Sequence, residues 1–398
     1  MKILHTADWH LGQRFFAKDR LDEHELFLSF LLDTIERESI DLLIVAGDIF
    51  DTANPPRPAE TLYYNFLRGL VNLKRCQAII VGGNHDSAPH LNATAEYLEA
   101  DGIHVVGALP ENPEDAFFEF DECCVAAVPY LRDRDVRKAI VGESIDDLEA
   151  RAKAGVLNCY AEMGTLADLR RSGRPVIATG HLTAVGGELS ESERTIHIGN
   201  LGSISAAQFP NVFDYVALGH LHLPQAVGDI DSIRYSGSPI PLSFGESKTQ
   251  KQVRVIEVVD GKLTHHPVEI PVFRRLLRLQ GDTDALLKQL AELVVSEDEP
   301  EPWLELTVKD GELLGSANED LRTAAAEKGM IVLKVLAAAG SRSMGDLLDN
   351  GSDVDIGEMK PEDVFKRRLE SYDGDVQVGV LEQCFQSLLT EVQEGGEA

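Results

Sequence analysis

The sequence predicts an α/β protein with more than one domain. Apolar runs rich in Ile, Val, Leu and Ala recur along the chain of 398 residues, and each gives way to glycine and polar residues. Such runs are typical of buried strands that end in loops, and stretches with helical spacing of apolar residues lie between them. Alternating strands and helices favour a mostly parallel sheet. The length allows two or three domains.

The first domain is expected over residues 1–271. The predicted helices are Leu21–Arg37, Pro58–Lys74 with proline in its first turn, a helix between the loop after Val81 and Ala100, and Asp146–Arg171. The predicted strands are Ile3–Thr6, Leu42–Ala46, Ala78–Val81, Pro175–Thr179, Tyr215–Leu218, and a closing antiparallel pair of Ile233–Ser236 with Gln252–Val259. Several of these strands end directly before acidic residues, asparagine or histidine.

A small α+β cap domain is predicted over residues 272–340. Its expected order is βαβαβ, with strands Arg274–Leu279, Trp303–Val308 and Ile331–Leu336, and helices Asp284–Val294 and Asn318–Glu327. Residues 341–357 are rich in Gly, Ser and Asp, which predicts a flexible linker. Residues 358–398 show helical apolar spacing, for example at Phe365, Leu369, Phe385 and Leu389. Such a segment either docks on a partner protein or folds back on the cap.

The net charge of −30 argues against a nucleic-acid binder, because such proteins usually carry a basic surface. Small basic groups remain at Arg132, Arg134, Arg137 and Lys138, at Lys248 and Lys251, and at Arg274, Arg275 and Arg278. Each group is either a phosphate contact or an ordinary solvated surface. The charge balance predicts weak DNA affinity for this chain alone, with a partner supplying much of the phosphate contact.

The setting expected from composition is the cytoplasm. The five cysteines lack C-x-x-C spacing, which disfavours a disulfide framework or a thiolate metal site. No apolar run is long enough to cross a bilayer. The start of the sequence shows no signal-peptide pattern.

Five short segments at predicted strand ends carry side chains that bind metals. The predicted ligands are Asp8, His10, Asp48, Asn84, His181, His220 and His222. Oxygen and nitrogen donors without thiolate suit manganese, iron or zinc better than calcium. Seven ligands are too many for one ion and suit two, with Asp48 as the candidate bridging carboxylate. Any single member is more often an ordinary loop residue, so the prediction depends on the whole ordered set.

The order Asp-x-His, Gly-Asp-x-x-Asp, Gly-Asn-His-Asp, Gly-His and Gly-His-x-His resembles the calcineurin-like metallophosphoesterase superfamily. The resemblance implies a four-layer αββα sandwich with two divalent ions, of which Mn²⁺ is favoured. It implies that one ion takes Asp8, His10, Asp48 and His222. The other takes Asp48, Asn84, His181 and His220.

The flanking residues, from His5 to Gly12, Arg20 to His24 and Asp51 to Pro56, narrow the resemblance to DNA-repair nucleases within this superfamily. These enzymes cut double-strand ends and hairpins, and they act with an SbcC-type coiled-coil ATPase as a homodimer within a heterotetramer. The resemblance implies the same substrate and partners here.

His85, Asp86 and Asp51 are the remaining candidate site residues. The resemblance implies that His85 faces the scissile phosphate, and an imidazole is suited to donate to a phosphate oxygen or protonate a leaving alkoxide. Asp86 is expected to orient the other nitrogen of His85. Asp51 either contacts substrate or holds its loop by a backbone hydrogen bond.

Two other functions compete with the DNA nuclease. A phosphoesterase for small substrates, such as a cyclic-nucleotide or phosphoprotein hydrolase, needs neither a cap nor a docking segment. A scaffold that has lost its metal is expected to lack some ligands, and all seven are present. The sequence therefore favours the metal-dependent nuclease.

Overall fold

The computed structural model describes residues 1–136, 145–188, 190, 204–296, 300–309 and 314–337. Within these ranges the chain divides into two compact units. The first contains Met1–Leu277 and Val295–Leu304, and the second contains Arg278–Val294 and the residues from Glu305 onward. None of the described helices is both long and apolar enough to cross a membrane.

Two six-stranded sheets form the first unit. The first sheet has the order Lys262–Glu269, Gln252–Val259, Lys2–Thr6, Leu42–Ala46, Gln77–Val81 and Ile103–Val106. The second sheet has the order Gln225–Val227, Ile230–Tyr235, Tyr215–Gly219, Val176–His181, Cys124–Ala126 and Phe117–Glu119. The four strands from Lys2–Thr6 to Ile103–Val106 run parallel, as do the four from Ile230–Tyr235 to Cys124–Ala126.

Two apolar layers hold this unit together. One layer contains Ile44 and Ile79 of the first sheet together with Ile177 and Val216 of the second. The other packs the first sheet against the helices Leu21–Glu38 and Arg57–Leu73. The long helix Ile145–Arg170 contributes buried Tyr160 to the layer that includes the second sheet. This arrangement confirms the predicted αββα sandwich.

The first long helix shows how local sequence produces these layers. Phe27, Leu31 and Ile35 recur at helical spacing and are fully buried. The helix ends at Glu38 because Ser39 adopts a left-handed conformation, and its backbone N–H caps the carbonyl of Glu36. The remaining helices of the first unit are Ala88–Asn92, Ala95–Glu99 and Asp133–Val136, and the short 3-10 helices are Pro113–Ala116, Ala206–Gln208 and Phe244–Glu246.

The prediction of one helix through Ala100 is wrong. Two short helices, Ala88–Asn92 and Ala95–Glu99, occupy this stretch. The side-chain oxygen of Asn92 accepts a hydrogen bond from the backbone N–H of Gly107 at 2.9 Å. Thr94 has non-helical backbone angles. The first helix therefore ends at Asn92, and the second begins after Thr94.

The predicted closing strand pair is also wrong. Ile230–Tyr235 lies in the second sheet beside Tyr215–Gly219, whereas Gln252–Val259 lies in the first sheet beside Lys2–Thr6. The antiparallel partner of Gln252–Val259 is Lys262–Glu269. Asp260 and Gly261 join them with positive φ angles of 51° and 73°. An Asp-Gly pair is a strong hairpin signal, and it identifies the partner strand.

The described part of the second unit continues the predicted βαβαβ order. Strands Leu276–Gly281, Trp303–Val308 and Ile331–Ala337 form a three-stranded sheet in that order, and helices Thr283–Glu292 and Leu314–Glu327 connect them. The side chain of Asp282 caps the first helix by accepting from the N–H of Ala285. The domain limits 272–340, the linker and the helical segment 358–398 stay predictions, since residues 338–398 lie outside the described ranges.

Two small strand pairs, one antiparallel and one parallel, complete the described strands. Arg14–Phe15 pairs with Lys18–Asp19, and Ala184–Val185 pairs with Ile204–Ser205. All four cysteines among the described residues are free and buried.

Candidate metal centre

The predicted ligands lie at the carboxyl ends of parallel strands in both sheets. Asp8, Asp48 and Asn84 follow strands of the first sheet. His181 ends a strand of the second sheet, and His220 follows another. Five of the seven ligands are buried, whereas Asn84 and His220 are partly exposed together with His85. The accessible side of the centre is therefore formed by Asn84, His85 and His220.

Backbone strain is concentrated on these ligands. Asp8, His10, Asp48 and His220 have φ angles of 54°, 46°, 50° and 99°. Residues other than glycine adopt the left-handed region at a cost, and they persist there when the surrounding structure enforces it. The strained turns direct side chains from both sheets into one centre.

Neighbouring glycines allow the close approach of the two sheets. A Cβ atom on Gly47 would lie 2.2 Å from Nδ1 of His181, and one on Gly83 would lie 2.1 Å from Oδ1 of Asp48. These distances are far shorter than any van der Waals contact. The glycines of the Gly-Asp and Gly-Asn-His-Asp segments are thus required by packing around the ligands.

Four predicted ligands of one ion converge on each other. Nε2 of His181 lies 2.9 Å from Oδ1 of Asn84 and 3.2 Å from Oδ2 of Asp48. Nδ1 of His220 lies 2.9 Å from the same oxygen of Asn84. The other nitrogen of His181 is 2.9 Å from the carbonyl of Ala46, which accepts its proton. Such a carbonyl contact fixes the tautomer in which Nε2 is the ligand atom.

Two of the ligands predicted for the other ion carry buried polar atoms that have no hydrogen-bond partner among the described residues. These atoms are Oδ2 of Asp8 and Nε2 of His10. Nε2 of His10 lies 3.6 Å from Oδ2 of Asp48, and the rings of His10 and His222 are 5.1 Å apart. Buried polar atoms without partners are costly, and a cation satisfies both. These residues fit a metal ion.

Asp48 is common to two groups of neighbouring ligand atoms. The first group contains Asp8, Asp48 and His181, and the second contains His10, Asp48 and His85, with the ligand atoms of each group within 4.8 Å of one another. This position suits a carboxylate shared by two ions. His85 lies in the second group, beside the predicted ligands His10 and Asp48.

Electrostatics at the centre also favours cations. Burial raises the pKa of Asp8 to about 7, and the negative charge of Asp48 contributes in the same direction. Burial opposes protonation of His10, but its hydrogen bond with Asp51 and the charge of Asp48 raise its pKa to about 9. Burial lowers the pKa of His222 well below its ordinary value, which keeps its ring neutral for metal binding. The buried carboxylates require positive charge, which divalent ions provide.

Asp51 contacts a ligand. Its Oδ1 lies 3.2 Å from Nδ1 of His10. Carboxylates in this position orient metal-binding histidines and fix their tautomer. The sequence left two roles open for Asp51, and neither included this pairing. The spacing Gly-Asp-x-x-Asp placed it on the correct loop, but not against His10.

The expectation that Asp86 orients His85 is wrong. The Asp86 carboxylate accepts hydrogen bonds from the backbone N–H groups of Ile49, Phe50 and Gly83 at 3.1, 3.0 and 2.8 Å. The Asp86 carboxylate therefore joins the loop that follows Asp48 to the loop that contains Asn84. Nδ1 of His85 instead lies 2.7 Å from the backbone oxygen of Asp51. This contact involves Nδ1 of the ring and not Nε2.

Two of the basic residues considered for DNA contact are buried in ion pairs. Lys251 pairs with Glu246, and Arg274 pairs with Asp22 and Glu23. Arg132 donates to the backbone oxygen of Asp86 at 3.0 Å, beside the His85 loop. The sequence does not distinguish a buried cation from a surface one when both lie among polar residues.

The fold and the centre define a metal-dependent phosphoesterase. The family model for calcineurin-like phosphoesterases matches residues 1–224. A second family model, described as the Type 5 capsule protein repressor C-terminal domain, matches residues 272–372.

Curated relatives show to which branch of the calcineurin-like phosphoesterases the chain belongs. The D subunit of nuclease SbcCD from Escherichia coli (strain K12) is 35% identical over 376 residues, covering 93% of this chain and 92% of the relative. The proteins of the same name from Rhodobacter capsulatus and Bacillus subtilis are 36% and 32% identical, covering 73% and 66% of this chain and 74% and 67% of the relatives. The chain belongs to the family of SbcCD nuclease D subunits within the calcineurin-like phosphoesterases, and it is a metal-dependent nuclease.

Proposed function

We propose that the chain hydrolyses phosphodiester bonds at DNA double-strand ends and hairpins with two divalent ions, of which Mn²⁺ is the favoured identity. The observation that carries the proposal is the convergence of oxygen and nitrogen donors from Asp8, His10, Asp48, Asn84, His181 and His220, with the ring of His222 beside that of His10. Asp8, His10, Asp48 and His222 hold one ion, and Asp48, Asn84, His181 and His220 hold the other. A pair of ions supplies Lewis acidity on both sides of an in-line phosphoryl displacement.

The residues around the ions prepare the substrate. Because the backbone oxygen of Asp51 accepts the Nδ1 proton of His85, a donor role for Nε2 requires the imidazolium form of the ring. In that form the Nε2 proton would be donated to a phosphate oxygen or to the leaving alkoxide. Asp51 orients His10, and Asp86 is a positioning residue that joins the two ligand loops. A contact of Asp51 with substrate stays a prediction.

The partners proposed for this nuclease are DNA, a second copy of the chain and an SbcC-type coiled-coil ATPase. The relatives bear the name of the D subunit of an SbcCD nuclease. The acidity of the chain supports a partner that supplies phosphate contacts, because a net charge of −30 opposes DNA binding by this chain alone. A homodimer within a heterotetramer is the proposed assembly, in the cytoplasm.

The test compares the wild type with Asp48→Ala. The wild type is expected to bind two Mn²⁺ ions and to cut a hairpin-ended duplex in the presence of its ATPase partner. Asp48→Ala is expected to abolish cutting and lower metal content, because a shared ligand serves both ions. Asp33→Ala, at an exposed helix position, is the control and is expected to match the wild type.

Metal content is measured by elemental analysis and cutting by gel electrophoresis of a labelled hairpin. Full activity with one tightly bound ion would exclude the two-ion centre. Hydrolysis of small phosphodiesters without cutting of DNA, with the partner present, would instead favour the small-substrate phosphoesterase.

A further inference from the structure

A buried ion pair lies directly behind the metal ligand His222. Lys251 and Glu246 are 5% and 0% exposed, and Nζ of Lys251 lies 2.7 Å from Oε2 of Glu246. The same Nζ donates to the backbone oxygen of His222 at 2.9 Å and to Oγ of Ser238 at 2.8 Å. An ammonium group has three protons, and these three acceptors match them.

The backbone of His222 is held from two sides. Its carbonyl oxygen accepts from Nζ of Lys251 and also from the backbone N–H of Ser238 at 3.1 Å. A Cβ atom on Gly237 would lie 2.7 Å from this oxygen, so the neighbouring turn packs closely against it. Both lone pairs of the carbonyl are therefore used, which restricts the peptide that carries the His222 ring.

The hydrogen bond from Lys251 to His222 connects segments that adjoin the two sheets supplying the ligands. Lys251 directly precedes the strand Gln252–Val259 of the first sheet, and its own carbonyl accepts from the N–H of Ile270 at 2.8 Å. His222 follows the strand Tyr215–Gly219 of the second sheet. Glu246 is fixed in turn by the N–H of Leu242 at 3.1 Å. This bonded contact thus joins the two segments beside the centre to which both sheets contribute.

We infer that Lys251 is a positioning residue that sets the orientation of the His222 ring for metal binding, with Glu246 holding the ammonium group in place. The inference rests on the ligand role of His222 in the proposed function. Groups that orient ligands in this way change metal affinity by roughly 10- to 100-fold when removed. A buried pair that served stability alone would leave the affinity of the folded protein unchanged.

The test measures Mn²⁺ affinity by calorimetry on the full-length chain, with thermal unfolding in chelator as the measure of stability. Lys251→Met combined with Glu246→Gln removes both charges while retaining an oxygen acceptor for the N–H of Leu242. This variant is expected to unfold within a few degrees of the wild type, because a neutral replacement of a buried pair is often tolerated. Its affinity for at least one Mn²⁺ is expected to fall roughly 10- to 100-fold.

Two further variants make the result specific. Ser243→Ala removes a hydrogen bond of 3.1 Å to Oε1 of Glu246 without contacting His222, and it is expected to keep wild-type affinity. His222→Ala is the reference for a lost ligand. If His222→Ala keeps both ions, the proposed ligand set fails. If His222→Ala loses affinity and the double variant does not, the positioning role of Lys251 is overturned.

A second substitution covers the case in which the double variant does not fold. Lys251→Gln shortens the side chain and removes its charge, so it no longer reaches all three acceptors. A loss of about tenfold in Mn²⁺ affinity is expected from this variant. Unchanged affinity in folded Lys251→Gln would overturn the inference.

Discussion

Gly83 illustrates how single residues control the centre. Its backbone lies so close to Asp48 that a Cβ atom would be 2.1 Å from Oδ1 and 2.2 Å from the backbone nitrogen of that residue. Asp48 is also held in a left-handed conformation, with a φ angle of 50°. A methyl group on residue 83 would therefore overlap both the side chain and the backbone of Asp48, so Asp48 would have to shift.

Gly83→Ala is expected to displace the Asp48 carboxylate, lowering metal content and abolishing hydrolysis. Overpacking of this kind also destabilises a fold by roughly 1–3 kcal/mol. Gly173→Ala is the matched control, because Gly173 has a φ angle of 83° and nothing lies within 4 Å of the position that a new methyl group would take. The control is expected to lose about 1–2 kcal/mol from the left-handed conformation while keeping full metal content. Equal metal content in both variants would contradict the crowding argument.

His85 gives a second prediction at this scale. His85→Ala is expected to retain both ions while the hydrolysis rate falls roughly 10²- to 10⁴-fold, the usual contribution of a positioned acid or base. Elemental analysis and single-turnover kinetics measure the two quantities separately. Loss of an ion would make His85 a ligand, in line with its closeness to His10 and Asp48. An unchanged rate with both ions present would assign it a structural role.

The strand-end positions of the predicted ligands could be recognised in the sequence, but several of their contacts could not. Strand ends preceding Asp8, Asp48 and His181 are recognisable because buried strands are continuous apolar runs. The contacts of Asp51 with His10 and of Asp86 with the backbone of Ile49 join separate loops. Residue spacing does not determine which side chain meets which loop, so these roles required the structure.

At the scale of elements, a buried histidine links the two sheets. His5 in the first sheet has Nδ1 3.2 Å from the hydroxyl of Tyr215 and Nε2 3.2 Å from the carbonyl of Leu218, both in the second sheet. Burial lowers the pKa of His5 to about 3, and the charge of Arg254 contributes in the same direction. The ring is therefore neutral between the sheets.

This shift predicts a pH dependence of stability. An unfolded histidine has a pKa of about 6.5, so below this pH the unfolded chain binds a proton that folded His5 does not. Stability is therefore expected to fall as the pH decreases from about 6.5 toward 3, with His5 contributing up to about 1.4 kcal/mol per pH unit. Urea unfolding in chelator at about pH 5 and pH 7 measures this slope.

His5→Gln removes the titrating group and is expected to reduce the pH slope, whatever its effect on stability at a single pH. His266→Gln, at an exposed position of the strand Lys262–Glu269, is the control and is expected to keep the wild-type slope. A slope unchanged by His5→Gln would show that other groups determine acid sensitivity.

Strand partners were harder to predict than strands. Gln252–Val259 is a strand as predicted, but its apolar pattern does not identify the neighbours Lys2–Thr6 and Lys262–Glu269. Lys262–Glu269 carries mostly exposed residues on the edge of its sheet, so it lacked the apolar signal of a buried strand. Pairing depends on contacts across long sequence separations, which local patterns do not encode.

At the scale of the whole molecule, the chain combines an acidic surface with a centre for phosphodiester hydrolysis. The net charge of −30 opposes unassisted DNA binding, and the buried ion pairs of Lys251 and Arg274 remove two cations from the set available to DNA. We propose two roles for the ATPase partner, namely supplying phosphate contacts and coupling ATP to cutting. The segment predicted to bind it follows the Gly and Ser linker that begins at residue 341.

Truncation before Ser341 is expected to leave a folded, metal-loaded nuclease, because both six-stranded sheets and all seven predicted ligands precede this point. The truncated chain is expected to hydrolyse small phosphodiesters but to lose association with the ATPase and any response to ATP. Burial of each large apolar side chain contributes roughly 1.5 to 3 kcal/mol, so Phe365, Leu369, Phe385 and Leu389 together suffice for a stable interface. Copurification measures association, and cutting of a blunt duplex with and without ATP measures coupling.

A full-length chain with Phe365→Ala and Leu369→Ala tests the same surface without deleting the segment, and it is expected to weaken copurification while leaving metal content unchanged. A truncated chain that still binds its partner and responds to ATP would place the interface in the phosphoesterase domain or the cap. Aggregation or metal loss after truncation would instead show that the segment packs on the chain itself. These outcomes separate partner docking from folding back, because only docking predicts that metal binding survives when association is lost.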